Sequence, residues 1–205
     1  MLSRRCCQFF DAFEIIFLVD NLLMSEKFQN GQYIAARQVV SPNFDQRPDN
    51  TKIEALIIHS ISLPPGEYQS DCVERFFCNQ LDPNEHPYFA NICHLTVSSH
   101  FFIKRDGEVV QFVNANKRAW HAGQSFCLGR ENANDFSIGI ELEGWDEASD
   151  GFASEQYASL IQISKALIAE YSIQVEHIFG HSDIAPERKN DPGAYFDWQY
   201  FRSKL

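Results

Sequence analysis

The chain has 205 residues, of which 44% are hydrophobic and 22% charged, and its formal net charge is −11. That length suits one ordinary domain with a core of its own, and the composition excludes intrinsically disordered and fibrous classes. With 28 acidic residues against 17 basic ones, a protein that works by neutralising phosphates is excluded, and no nucleic-acid partner is expected.

The opening MLSRRCCQFFDAFEIIFLVDNLLM places Arg4 and Arg5 ahead of an apolar stretch, as an export signal would. Asp11, Glu14 and Asp20 break that stretch and leave only short uncharged runs such as Ile15 to Val19. A membrane span needs about 20 apolar residues, so no membrane partner is expected. Residues 1–23 are read as an N-terminal extension, with the working domain at 24–205. The cysteines at 6, 7, 72, 78, 93 and 127 form no CxxC pair. They read as reduced thiols, which points to the cytoplasm.

IEALIIHSI (53–61) is a near-continuous aliphatic run, the pattern of a strand buried on both faces, and LPPG (63–66) ends it. The spacing of apolar residues predicts a short amphipathic helix over 71–80, followed by a turn-rich loop at 82–89. HFFIKRDGEVVQFV (100–113) predicts a hairpin with a two-residue turn at Asp106-Gly107. DFSIGIELEG (135–144) is a second buried strand, and 154–171 is an amphipathic helix with Ser154 as its N-cap. A short apolar run at 177–179 leads into a loop at 180–193, and a helix closes the chain. The order predicts one α/β domain with a mixed sheet flanked by helices.

His59 lies near the end of a buried strand, where α/β domains open onto ligand crevices. His181 has a similar setting, and Asp191 follows ten residues later in the same loop. Two imidazoles and a carboxylate leave the fourth tetrahedral position open, as in a catalytic rather than a structural zinc site. Two rival pairs exist. His177 and His181 have helical spacing, but Gly180 intervenes and no glutamate follows the first histidine; His94 and His100 would share a face of an unbroken strand. Both rival pairs are read as structural. Glu141 and Glu143 point the same way on a strand, and either could act as a general base; spacing does not choose between them. Lys189 lies near enough to Asp191 to offset a developing oxyanion.

The blocks HSISLPPGEY, DPNEHPYFA, HFFIKRDGEVVQFV, RAWHAG, NDFSIGIELEG and GHSDIAPERKNDPG together resemble the AmpD-like zinc N-acetylmuramoyl-L-alanine amidases, in unbroken order from about Gly31 to Phe201. The resemblance implies a single domain of the amidase and peptidoglycan-recognition-protein type. It implies hydrolysis of the amide between the lactyl group of 1,6-anhydro-N-acetylmuramic acid and L-alanine of the stem peptide, in cytosolic peptidoglycan recycling. The partner would be a small anhydromuropeptide and the protein a monomer. Carried over by position, His59, His181 and Asp191 match the Zn2+ ligands and Glu141 the catalytic acid/base. Lys189 matches a lysine that stabilises the transition state, and Tyr88 a tyrosine associated with the site. Trp120 and His121 fall in a block expected to line the substrate groove. Ser60 stands among the substrate-contacting positions where the family has asparagine, and Thr96 where it has arginine. Ser99 replaces a tyrosine of wider relatives. Arg118, Arg130 and Lys189 are the candidates for a basic groove that attracts an anionic substrate. Two alternatives are a non-catalytic peptidoglycan-recognition module, which typically lacks a metal ligand, and an exported amidase acting on intact murein.

Overall fold

A computed structural model describes residues 27–205; the expected extension at 1–23, with Cys6 and Cys7, lies outside the described residues. Six strands form the main sheet: β1 Arg37–Gln38, β2 Ala55–Ile61, β3 Phe101–Ile103, β4 Val109–Gln111, β5 Ser137–Glu143 and β6 Ile178–Gly180. Their order is β6-β2-β5-β3-β4-β1. The first four are mutually parallel, β3–β4 is an antiparallel hairpin, and β1 runs parallel to β4. The sheet is mixed, as the element order predicts. β2 and β5 are adjacent interior strands, covered on both faces, and this is why their sequences read as aliphatic runs and not as alternation.

Helices are α1 Cys72–Phe77, α2 Pro87–Ile92, α3 Ser154–Tyr171, α4 His181–Ile184 and α5 Trp198–Arg202. On one face of the sheet, Leu56, Ile58, Ile138, Ile140 and Leu142 pack with Leu160, Ile163 and Leu167 of α3. The opposite face carries two smaller clusters. Ala55 and Ile57 meet Ala122, Phe136 and Ile184, whereas Phe102 and Val110 meet Val73, Phe76 and Phe77 of α1. Along β2, Ile57 belongs to the first of these clusters and Ile61 packs against the second, and His59 falls between them.

Three local expectations are corrected. The hairpin turn has three residues, not two: the Lys104 amide donates to the Glu108 carbonyl at 2.9 Å, and Gly107 takes φ +86°. A type I turn closed by a left-handed glycine fits the strand twist with this spacing. The segment 82–89 is not all turn, because Pro87 starts α2 with its φ preset, and His86 Nδ1 accepts from the Tyr88 amide at 3.1 Å. The N-cap of α3 is Ala153 and not Ser154. Gln156 explains the shift, since its Oε1 accepts from the Ala153 amide at 3.0 Å.

Gln156 is fully buried, and its Nε2 donates to the carbonyls of Ile103 and Glu143 at 3.1 and 3.0 Å. One side chain therefore ties the start of α3 to the ends of β3 and β5. Among the described residues, Cys72, Cys78, Cys93 and Cys127 are free thiols, and no helix is long and apolar enough to cross a membrane. The expected outcome of Gln156→Leu is a loss of about 3 kcal/mol in urea denaturation, from buried carbonyls left unpaired. Ser154→Ala, which removes no cap, changes stability by less than about 0.5 kcal/mol.

Candidate active site

Strand pairing brings the chemistry together. In the parallel β2–β5 register, His59 lies directly beside Glu141. β6 adds to the other side of β2 with Gly180 opposite Ile58, so His181, the next residue, emerges alongside His59. Asp191 returns to the same point because the Ser182 amide donates to its carbonyl at 2.9 Å. The intervening loop is folded by amides of Ala185 onto His181 and of Lys189 onto Ala185, each at 3.0 Å.

The result is a triangle of donor atoms. His59 Nδ1 and His181 Nδ1 are 3.0 Å apart, and each is 3.1 Å from Asp191 Oδ2. All three residues are buried. His181 Nε2 lies 3.1 Å from the Ala122 carbonyl, which offers an acceptor for an Nε2 proton whenever Nδ1 holds a metal. Burial pushes His59 down to about 4, helped by the neighbouring His181 and opposed by Asp191, so the ring is neutral near pH 7. Burial alone would raise the Asp191 carboxyl, but its contacts with His181 and His59 outweigh burial and hold it well below the usual carboxylate range. Two imidazole nitrogens and a carboxylate oxygen thus converge on one point, a donor set that a cation can complete. These residues can hold a metal ion, and they fit one with nitrogen and oxygen ligands.

The two strand glutamates separate by their partners. Glu143 is buried, with one carboxylate oxygen accepting from the Gln69 amide and the other from the Arg105 amide at 2.9 Å. Its acceptors are committed to tying two loops to the strand. Glu141 is also buried, yet its Oε2 has no hydrogen-bond partner. Burial raises its carboxyl well above the usual value and the charge of Asp191 adds to this, with Lys189 opposing both. Of the pair, Glu141 is the one free to exchange a proton.

A cleft of about 440 Å³ opens over the triangle, with Ser60, Tyr88, Trp120, Glu141 and Lys189 on its walls. Tyr88 stands at the rim on α2, 37% exposed. The Ser60 hydroxyl is buried and unpartnered. His121 contributes an edge to the cleft, but its ring is buried behind His59, with Nδ1 2.9 Å from His59 Nε2. Thr96 is exposed and does not line the cleft. Ser99 is buried with an unpartnered hydroxyl.

Neither Arg118 nor Arg130 belongs to a basic groove. Arg118 is paired with Asp135 and Asp45, and Arg130 with Glu54 while stacking on Phe136; neither lines the cleft. Arg188 does line it, as does Trp145. Sequence reasoning missed both, although Arg188 sits in the loop between two candidate ligands and Trp145 follows the strand that bears Glu141. The rival histidine pairs dissolve. His177 Nδ1 is 3.0 Å from the Glu54 carbonyl and a strand separates this residue from His181, while His94 is exposed and His100 buried.

Residues 49–194 match the family described as N-acetylmuramoyl-L-alanine amidase. The chain belongs to that family. It is 50% identical over 177 residues to the 1,6-anhydro-N-acetylmuramyl-L-alanine amidase AmpD of Enterobacter cloacae, covering 86% of this chain and 94% of that one. It is 49% identical over 174 residues to AmpD of Escherichia coli, covering 85% and 94%. A crystal structure of a selenomethionine derivative of AmpD superposes with a TM-score of 0.84 at 49% identity, covering 87% of this chain and 98% of that one. Escherichia coli AmiD, in complex with anhydro-N-acetylmuramic acid-L-Ala-D-γ-Glu-L-Lys, gives a TM-score of 0.55 at 30% identity, covering 78% and 60%. The region of this amidase that matches the family holds the whole triangle and both strand glutamates.

In this amidase, Glu143→Gln turns one carboxylate oxygen into an amide facing a backbone N–H. It is expected to destabilise the protein by about 2 kcal/mol in urea denaturation. Glu141→Gln, which removes a buried carboxylate without partners, is expected to leave stability unchanged or raise it.

Proposed function

We propose that this amidase hydrolyses the amide between the lactyl group of 1,6-anhydro-N-acetylmuramic acid and L-alanine of the stem peptide, with zinc held by His59, His181 and Asp191. The observation that carries this reading is the unpartnered carboxylate of Glu141 in register beside the triangle's His59. The names of the 1,6-anhydro-N-acetylmuramyl-L-alanine amidases at about half identity support the substrate. Zinc suits a set of two imidazole nitrogens and one carboxylate oxygen, and when bound it supplies Lewis acidity at the scissile carbonyl and acidifies the attacking water.

Glu141 takes a proton from the water on its carboxylate and later delivers it to the departing alanine nitrogen. A carboxyl raised by burial is the stronger base for the first step and still an acid for the second. Lys189, on the cleft wall, offsets negative charge on the tetrahedral oxygen as the carbonyl is attacked. Trp120 and Ser60 on the walls and Tyr88 at the rim hold the substrate: an indole face for apolar sugar or peptide surface, the small Ser60 as floor, and the Tyr88 hydroxyl for polar groups. A complete ligand set with a free base beside it favours catalysis over a recognition module. The working domain is residues 24–205, acting as a monomer in the cytoplasm on small anhydromuropeptides and not on intact murein.

The test is incubation of purified protein with anhydromuropeptide and mass spectrometry of the products. Free stem peptide and anhydro sugar are expected, with loss of activity in chelator and recovery on adding zinc. Intact murein should release far less peptide. Glu141→Gln should lower kcat by about 10²–10⁴-fold while zinc stays bound. A variant with unchanged kcat would remove Glu141 from the mechanism.

A further inference from the structure

His59 must present a bare Nδ1 to the triangle, and something must decide that its proton sits on Nε2. The hydrogen-bond chain behind it supplies the answer when read from its far end. Ser137 Oγ donates to the Ala133 carbonyl, which has no proton to give. Its hydroxyl proton being committed there, Ser137 Oγ can only accept from His121 Nε2, 3.3 Å away. With its proton on Nε2, His121 turns a lone pair on Nδ1 toward His59 Nε2 at 2.9 Å, which must then be the donor. Each link is buried, so water does not compete for it.

We infer that the Ala133–Ser137–His121 chain is a positioning relay that fixes the tautomer and ring orientation of His59. The last backbone carbonyl thereby determines which nitrogen faces the metal site. The seat of the His121 ring is part of the device. A Cβ on Gly139 would fall 2.5 Å from His121 Cγ and 2.6 Å from its Nδ1, so strand β5 accepts the ring only where it has no side chain. The inference rests on the metal-holding role of His59, and its test is arranged to separate the two.

Zinc affinity of the full-length protein is measured by competition with a chromogenic chelator, and the His59 imidazole is observed by NMR on histidine-15N-labelled protein, with and without zinc. In the wild type, His59 is expected as the Nε2–H tautomer in both states, with a slowly exchanging, downfield proton. His121→Leu removes the acceptor. It should weaken zinc binding about 10–100-fold, as loss of such outer partners does, and should abolish the downfield proton. His121→Asn, whose Oδ1 can stand where Nδ1 stood, should restore most of the affinity and the signal. Ser137→Ala is the milder variant if His121→Leu does not fold. It frees His121 to take the other tautomer and should weaken zinc binding several-fold, with His59 shifting toward Nδ1–H. Affinity within two-fold of wild type in His121→Leu or Ser137→Ala, with an unmoved His59 resonance, overturns the relay. A wild-type protein that binds no zinc overturns the proposed function, while the tautomer read in the metal-free protein still decides the relay.

Discussion

The parallel pairing of β2 with β5 places His59 and Glu141 side by side on interior strands of a sheet covered on both faces. Burial there costs each polar group its hydration, and the rest of the site can be read as the way that cost is met. His59 is held neutral and shares one nitrogen with the His121 ring; the other is left for the triangle. Asp191 keeps its charge because two imidazoles converge on it. Glu141 alone is left without a partner on Oε2. A buried carboxylate without a partner costs more than the unpartnered hydroxyls of Ser60 and Ser99, and it lies beside the triangle.

Glu143, two residues further along the same strand face, shows the alternative. Identical in chemistry and equally buried, it meets backbone amides of Gln69 and Arg105 and serves as a structural tie. Position relative to loops, and not residue type, separates the two roles. Gln156 continues this division of labour by anchoring α3 to the carbonyls at the ends of β3 and β5. The strand ends are therefore fixed from both faces, and His59 and Glu141 sit on a frame with little freedom to shift.

Much of this was legible in the chain. The two aliphatic runs, the hairpin and the long helix each carry a periodic or punctuating signal, and all four are found. His181 follows directly on β6, as its sequence setting suggests, whereas His59 lies within β2, two residues short of its end. What could not be read depended on contacts made by residues far away in sequence. The difference between Glu141 and Glu143 needs Gln69 and Arg105; the position of the α3 cap needs the reach of Gln156; and the orientation of the His181 ring needs the Ala122 carbonyl. Arg118 and Arg130 were misplaced for the same reason, since composition counts a positive charge but not the acid already beside it.

That last point bears on how an acidic protein can serve an anionic substrate. The net charge of −11 describes the far field, which counterions damp within about 8–10 Å at ordinary ionic strength. Inside the cleft the near field governs, and there Lys189 and Arg188 stand on the walls together with Glu141, Asp146 and Asp191, so the two cations offset the local acids. Arg188 Nη2 donates to the carbonyls of Ala122 and Gln124, each at 2.7 Å, so its charge is oriented without being neutralised by a carboxylate. The same Ala122 carbonyl also lies 3.1 Å from His181 Nε2. One backbone oxygen thus orients a histidine of the triangle and a cation of the cleft wall together, so a change at the Ala122 carbonyl would disturb both.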